Sequence, residues 1–219
     1  PAAGQTPLAN GFEWGDTAGW SSTQPLRCDL LPAQDRWLQP TAVLHVATTG
    51  SDLSGDGSSG SPFATIDRAV DDATPGTAVR VHAGTYAGAV WVTDLHGTAA
   101  APIWIGGAPG EARPVIEGAS EGMHLSRVSY LVVHDLEVRD AAANGVNCDD
   151  GGDVGDPPAT HHVVLRGLHV HDIGGTGNQD CLKLSGVNDF QVLLSSFARC
   201  GGGISGSGVD HVGCPRGLL

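Results

Sequence analysis

At 219 residues the chain is long enough to bury a substantial core, as one domain or as one elongated array. With 33 glycines, few aromatic residues and 40% hydrophobic residues, it describes many short strands and turns and not a helical bundle. A net charge of −13, with one lysine and only scattered arginines, argues against nucleic acid as a partner, and no apolar run approaches the roughly 20 residues that span a bilayer.

Residues 1–42 carry Trp14, Trp20 and Trp37 among Pro, Gly and Ser with no sustained periodicity, and read as an irregular extension whose tryptophans pack on the main body. From Val43 the pattern sharpens. Val43-Leu44-His45-Val46 is a short strand, and residues 51–60 form a loop by composition. A helix is expected over residues 62–73. Ser61 would cap it, Pro62 fits its first turn, and Phe63, Ile66, Ala69, Val70 and Ala73 recur at helical spacing until Pro75-Gly76 stops it.

Strand-sized segments follow at Ala78–His82, Gly84–Tyr86, Ala89–Val92, Pro102–Ile105 and Pro114–Ile116, separated by glycine-containing turns. Several motifs in this stretch belong together: Gly50-Ser51-Asp52, Asp56-Gly57-Ser58, Ser61-Pro62-Phe63-Ala64-Thr65-Ile66, Ala83-Gly84-Thr85-Tyr86 and Pro114-Val115-Ile116-Glu117-Gly118. This set resembles the opening of secreted right-handed parallel β-helix proteins of the pectate-lyase-like superfamily, which includes chondroitinase- and alginate-lyase-type members. The resemblance covers about residues 43–219. It implies an all-β solenoid with an N-terminal capping helix, a secreted or cell-surface location and a polysaccharide lyase type of activity.

Independently of any family, Leu131–Asp140, Val163–Asp172 and Phe190–Arg199 repeat one pattern, with inward candidates at the first, third, sixth and eighth positions. Stacked coils bury what one coil cannot, each adding a strand to each sheet. A β-sandwich is the competing all-β reading, but it needs two-residue hairpin signals, which are rare here. A parallel β-helix over residues 43–219 is therefore expected. The last repeat ends just before the chain does, so the domain is expected to be incomplete at that end, continued by a further segment or covered by a partner.

After each repeat comes a second short strand: Asn144–Cys148, Asp180–Leu184 and Ser207–His211. Alternation puts Val146, Leu182 and Val209 inside, Asn147, Lys183 and Asp210 in one exposed row, and Asn144, Asp180 and Ser207 in another. Lys183 is the candidate base and Asp180 its partner in a catalytic pair, with a Lys183–Asp210 or Lys183–Asp180 ladder salt bridge as the structural reading. Asn147, Arg166 and Arg199 are candidate substrate-binding residues, since an arginine can grip a uronate carboxylate through two hydrogen bonds. Asp149 and Asp150, with Asp153 and Asp156 in the same loop and Asp210 beside it, are candidate calcium ligands. His161-His162 and His169-x-His171 have spacings that suit a transition metal, though outward polar positions explain them more simply. Asn178–Ser185 resembles a polygalacturonase motif, but Lys183 replaces a carboxylate that hydrolysis needs. Cys148 and Cys181 read as buried thiols, while Cys200 and Cys214, flanking a glycine-rich loop, are the better disulfide candidates.

The expected function is binding of an acidic, uronate-containing polysaccharide and its cleavage by β-elimination with calcium as cofactor. A non-catalytic carbohydrate-binding or surface β-helix is the alternative.

Overall fold

A computed structural model of the chain describes residues 39–153, 159–175, 179–201, 206–214 and 216–219. Nearly all of the 1–42 extension, together with Asp156 and Asn178, lies outside the described residues.

The strands run β1 (Ala42–Val46), β2 (Thr77–Val81), β3 (Thr85–Ala87), β4 (Val90–Thr93), β5 (Ile103–Gly107), β6 (Val115–Glu117), β7 (Met123–Ser126), β8 (Ser129–His134) and β9 (Glu137–Arg139). They continue as β10 (Val146–Asp149), β11 (Thr160–Arg166), β12 (His169–Ile173), β13 (Leu182–Ser185), β14 (Val187–Leu193), β15 (Ser196–Cys200), β16 (Val209–Val212) and β17 (Gly217–Leu218). Three parallel sheets result. Sheet 1 is β1-β2-β5-β8-β11-β14-β17, sheet 2 is β3-β6-β9-β12-β15, and sheet 3 is β4-β7-β10-β13-β16. After β1 and β2, which pair directly, every third strand returns beside its predecessor, which is the connectivity of a parallel β-helix.

The repeats pair in the register their sequence spacing implies. Leu131 faces Val163 and Val163 faces Phe190, while Glu137 faces His169 and His169 faces Ser196. Inside, Val79, Ile105, Val133, Leu165 and Val192 stack from sheet 1, and Val92, Leu125, Cys148 and Leu184 from sheet 3, all buried. Each fully buried aliphatic side chain contributes about 1.5–3 kcal/mol, and no single coil encloses enough of them to fold alone.

Corners are turned by residues in the left-handed region, and these stack as well. Asp135, Gly167 and Leu194 end successive strands of sheet 1 at φ 52°, 62° and 51°, and Asp140, Asp172 and Arg199 do the same in sheet 2 at 56°, 56° and 54°. Aspartate and glycine suit such positions because they tolerate positive φ at lower cost than branched residues.

The expected helix is present but shorter: α1 spans Ile66–Asp71 and is capped by Thr65, not Ser61, through Thr65 Oγ1 accepting from the Arg68 amide. The Asp52 carboxylate explains the late start. It accepts from the amides of Ala64 and Thr65 and from the Thr65 hydroxyl, while Phe63 bridges Val46 in an extended backbone. Ile66, Ala69 and Val70 enter the core beside β1, β2 and β4. Asp67 accepts from the Trp91 amide, so the helix also satisfies the edge of β4 and closes the N-terminal end of the stack.

The cysteines depart from expectation. Cys181 and Cys200 form a disulfide, Cα to Cα 5.3 Å, while Cys148 and Cys214 are free thiols. Linear spacing suggested Cys200 with Cys214; the coil instead carries Cys200, at the end of β15, to the turn before β13 where Cys181 sits. Cys148 is the buried thiol expected, and burial pushes its pKa up.

Non-reducing peptide mapping is expected to recover a 181–200 crosslink, with Cys148 alkylated only after unfolding. Replacing both bonded cysteines by serine should lower stability by about 2–4 kcal/mol in denaturant titrations.

Candidate functional site

Sheet 3 builds the surface that gathers most of the candidate residues. Its strands alternate in and out, and the outward row reads Trp91, His124, Asn147, Lys183, Asp210 in unbroken register across β4, β7, β10, β13 and β16. Neighbouring members are one strand spacing, about 4.8 Å, apart. Beside it runs a second outward row of Thr93, Ser126, Asp149, Ser185 and Val212. Trp91 is 53% exposed and stacks on the His124 ring, with centroids 4.5 Å apart. The face therefore offers an aromatic plate at one end and the only lysine near the other.

The polar side chains between them are tightly bonded. His124 Nδ1 lies 2.6 Å from Glu121 and Nε2 2.8 Å from Asp149. Asp149 accepts from the Ser126 hydroxyl at 2.7 Å, the Gly151 amide at 2.9 Å and Asn147 Nδ2 at 3.2 Å. Burial pushes the Asp149 carboxyl up, yet the hydrogen bonds from Ser126 and Gly151, with His124 alongside, outweigh it and leave the group below its ordinary range.

Lys183 Nζ forms an ion pair with Asp210 and lies 3.9 Å from Asp180. Asp180 is buried and spends one oxygen on the Ser207 amide at 2.7 Å, just as Asn144 accepts from the Asp180 amide at 3.1 Å. The Asn144–Asp180–Ser207 row thus ties successive coils together through side chain to backbone bonds.

Other candidates lie elsewhere. Arg166 ends β11 in sheet 1, and Arg199 stands at the corner stack of sheet 2, where it holds Asp172 through two hydrogen bonds. Neither shares a sheet with Lys183, since each strand of a repeat belongs to a different side of the coil. Nor are Asp149, Asp150 and Asp210 among the described residues whose ligand atoms gather within 4.8 Å of one another: Asp149 is occupied as above, Asp150 accepts from the Gly152 amide, and Asp210 holds Lys183. Trp91 and His124 were missed as site residues, although Gly122-Met123-His124-Leu125 copies the pattern of Gly145-Val146-Asn147-Cys148 and Gly208-Val209-Asp210-His211 closely enough to have revealed them.

No protein-family model matches the chain, and no curated protein matches it. Among solved structures it is similar to a GH136 lacto-N-biosidase from Eubacterium ramulus, at 17% identity over 73% of this chain and 34% of that one, with a TM-score of 0.60. It is similar also to pectate lyase Pel9A, at 18% identity over 81% and 48% with a TM-score of 0.60. An alginate lyase from Paenibacillus sp. str. FPU-7 aligns at 20% identity over 72% and 45%, with a TM-score of 0.54. These likenesses show the right-handed parallel β-helix fold, and the chain spans a third to a half of the length of each. Among the described residues no helix is long and apolar enough to cross a membrane.

A depressed carboxyl stabilises the fold above its unfolded value of about 3.9 and loses that contribution as pH falls through its lower folded value. The melting temperature of Asp149→Asn should therefore lie below that of the wild type at neutral pH. The gap should hold down to about pH 4 and narrow below it, as read by thermal unfolding across a pH series.

Proposed function

We propose that the outward face of sheet 3 binds an acidic, uronate-containing polysaccharide and cleaves it by β-elimination with Lys183 as the base. The observation that carries this reading is the single unbroken row from Trp91 to Asp210, which combines a stacking plate, hydrogen-bonding side chains and one amine. Trp91 suits the apolar face of a sugar ring, and Asn147 and His124 suit its hydroxyls. Two of the similar structures are lyases named for pectate and alginate, both polyuronates, which supports the same substrate class. The Cys181–Cys200 disulfide supports an oxidising, extracellular setting.

In the proposed reaction, Lys183 Nζ takes the proton α to the uronate carboxylate. The freed electron pair forms a double bond to the β carbon, and the glycosidic oxygen on that carbon leaves and takes a proton from solvent. In its ion pair with Asp210 the amine is an ammonium with no free lone pair, so Nζ must part from Asp210 and give up one proton to solvent before it can act as the base. Calcium enters this reading as an ion brought between the substrate's carboxylates and the acidic face, without a preformed cage.

A second reading, binding without cleavage, is favoured by that same ion pair and by the Asp180 bond to the Ser207 amide, which give both groups structural partners.

Ultraviolet absorbance of unsaturated uronate on polygalacturonate, alginate and chondroitin, with and without calcium, is the test. Product on at least one of these is expected, and binding without product would establish the second reading. Lys183→Ala is expected to lower the rate by orders of magnitude while costing at most about 1 kcal/mol of stability, because the pair it breaks is partly exposed. Trp91→Ala should weaken oligosaccharide binding in calorimetric titration and leave the melting temperature near that of the wild type.

A further inference from the structure

On the outward face of sheet 2, a different side of the coil, β12 presents two histidines and β9 a carboxylate. His169 and His171 flank the buried Val170 and so project from the same side of their strand, with ring centroids 4.3 Å apart. Glu137 is the register partner of His169 in the preceding coil. Its Oε1 lies 3.3 Å from His171 Nε2 and its Oε2 4.0 Å from His169 Nδ1, and one ligand atom from each of the three side chains falls within 4.8 Å of the others. Metal–ligand bonds of about 2.0–2.1 Å in a tetrahedral site place neighbouring ligand atoms about 3.3–3.4 Å apart. The Glu137–His171 separation already has that length, and His169 reaches it by a small rotation about its side-chain bonds.

Two further observations point the same way. His171 Nδ1 lies 2.6 Å from Asp172 Oδ2, which fixes the ring with Nε2 turned towards Glu137. A carboxylate behind a histidine in this manner is the usual second support of a metal-bound imidazole. In the next coil the register neighbours of His169 and His171 are Ser196 and Ala198, whose small side chains leave the approach open. Arg113 lies near enough for its charge to act on His169, and two other nearby cations are already matched. Arg199 is bound to Asp172, with Nη2 also 3.2 Å from His171 Nδ1, and Arg139 is bound to Glu117 at 2.7 Å while lying 3.6 Å from Glu137.

We propose that Glu137, His169 and His171 form a binding site for a divalent first-row transition ion, with three protein ligands and a fourth position open to solvent. Two imidazoles and one carboxylate suit zinc or cobalt and not calcium, which takes six or more oxygens. Such an ion would clip the coil of β9 to that of β12 and bind the folded chain alone, so it should raise the melting temperature.

Zinc competition against a chromogenic chelator, on tag-free protein stripped of metal, is the test, with cobalt absorption in the visible as a second readout. One equivalent is expected at micromolar or tighter affinity, with a cobalt spectrum of tetrahedral intensity. His169→Ala and Glu137→Gln, each checked for folding by circular dichroism, should each lose that equivalent. Asp172→Asn, which removes the carboxylate behind His171 and also loosens its pairing with Arg199, should weaken zinc by about 10–100-fold and shift the cobalt spectrum. Absence of binding by the wild type would overturn the proposal. So would an undiminished equivalent in His169→Ala and Glu137→Gln, which would move the ion to another group such as the free Cys214 thiol.

Discussion

Every feature of this molecule depends on in-register stacking of parallel coils, which makes the nearest neighbour of each residue its counterpart one coil away. Inside, that rule converts an apolar residue repeated once per coil into a continuous column, such as Val79–Ile105–Val133–Leu165–Val192. Outside, it converts repeated polar positions into rows at strand spacing. At residues with left-handed backbone it also brings charges together in pairs. Asp94 holds Arg127, Asp172 holds Arg199 and Asp189 holds Arg216, each bond spanning two successive coils. Exposed pairs of this kind add little stability individually, but each favours the native register over a slipped one, where the partner would be absent.

Because columns form only between coils, the stack needs closure where it starts. Helix α1 supplies it in two ways, with Ile66, Ala69 and Val70 covering the core and Asp67 satisfying an edge amide of β4. Both tasks follow from one short segment, and Asp52 sets where it begins by holding Ala64 and Thr65 extended. The helix is therefore positioned by a loop carboxylate 13 residues upstream of its N-cap more than by its own residues.

Much of the fold was legible because period-2 alternation and the coil repeat are both local signals. Leu131, Val163 and Phe190 could be aligned by eye, and the pairing of Asn147, Lys183 and Asp210 followed from that alignment. What could not be read was anything set by three-dimensional adjacency across different strand types. The Cys181–Cys200 bond joins the end of a sheet 2 strand to the turn before a sheet 3 strand, an adjacency that linear spacing does not express. Arg166 and Arg199, candidate substrate-binding residues alongside Lys183, lie on other strands of the repeat, and the coil turns between its strands and sends them to other faces. The outward face of sheet 1 was a further surprise. Ala78, Trp104, Val132 and Val164 form a buried apolar row there, so that sheet is apolar on both faces, as parallel sheets commonly are.

The same geometry separates what holds the fold from what can vary. A substitution in an inward column disturbs two neighbouring coils, since close packing transmits any change in volume. A substitution in an outward row of sheet 2 or sheet 3 reaches mainly a surface side chain and its two register neighbours. Sheet 3 can therefore carry Trp91, His124, Asn147, Lys183 and Asp210 while sheet 2 carries Glu137, His169 and His171, each set assembled without altering the columns beneath. That independence explains why a shared fold at 17–20% identity fixes no activity. Chemistry on a β-helix is written in its outward rows, and these rows place an amine between carboxylates on one side of the coil and two imidazoles beside a carboxylate on another.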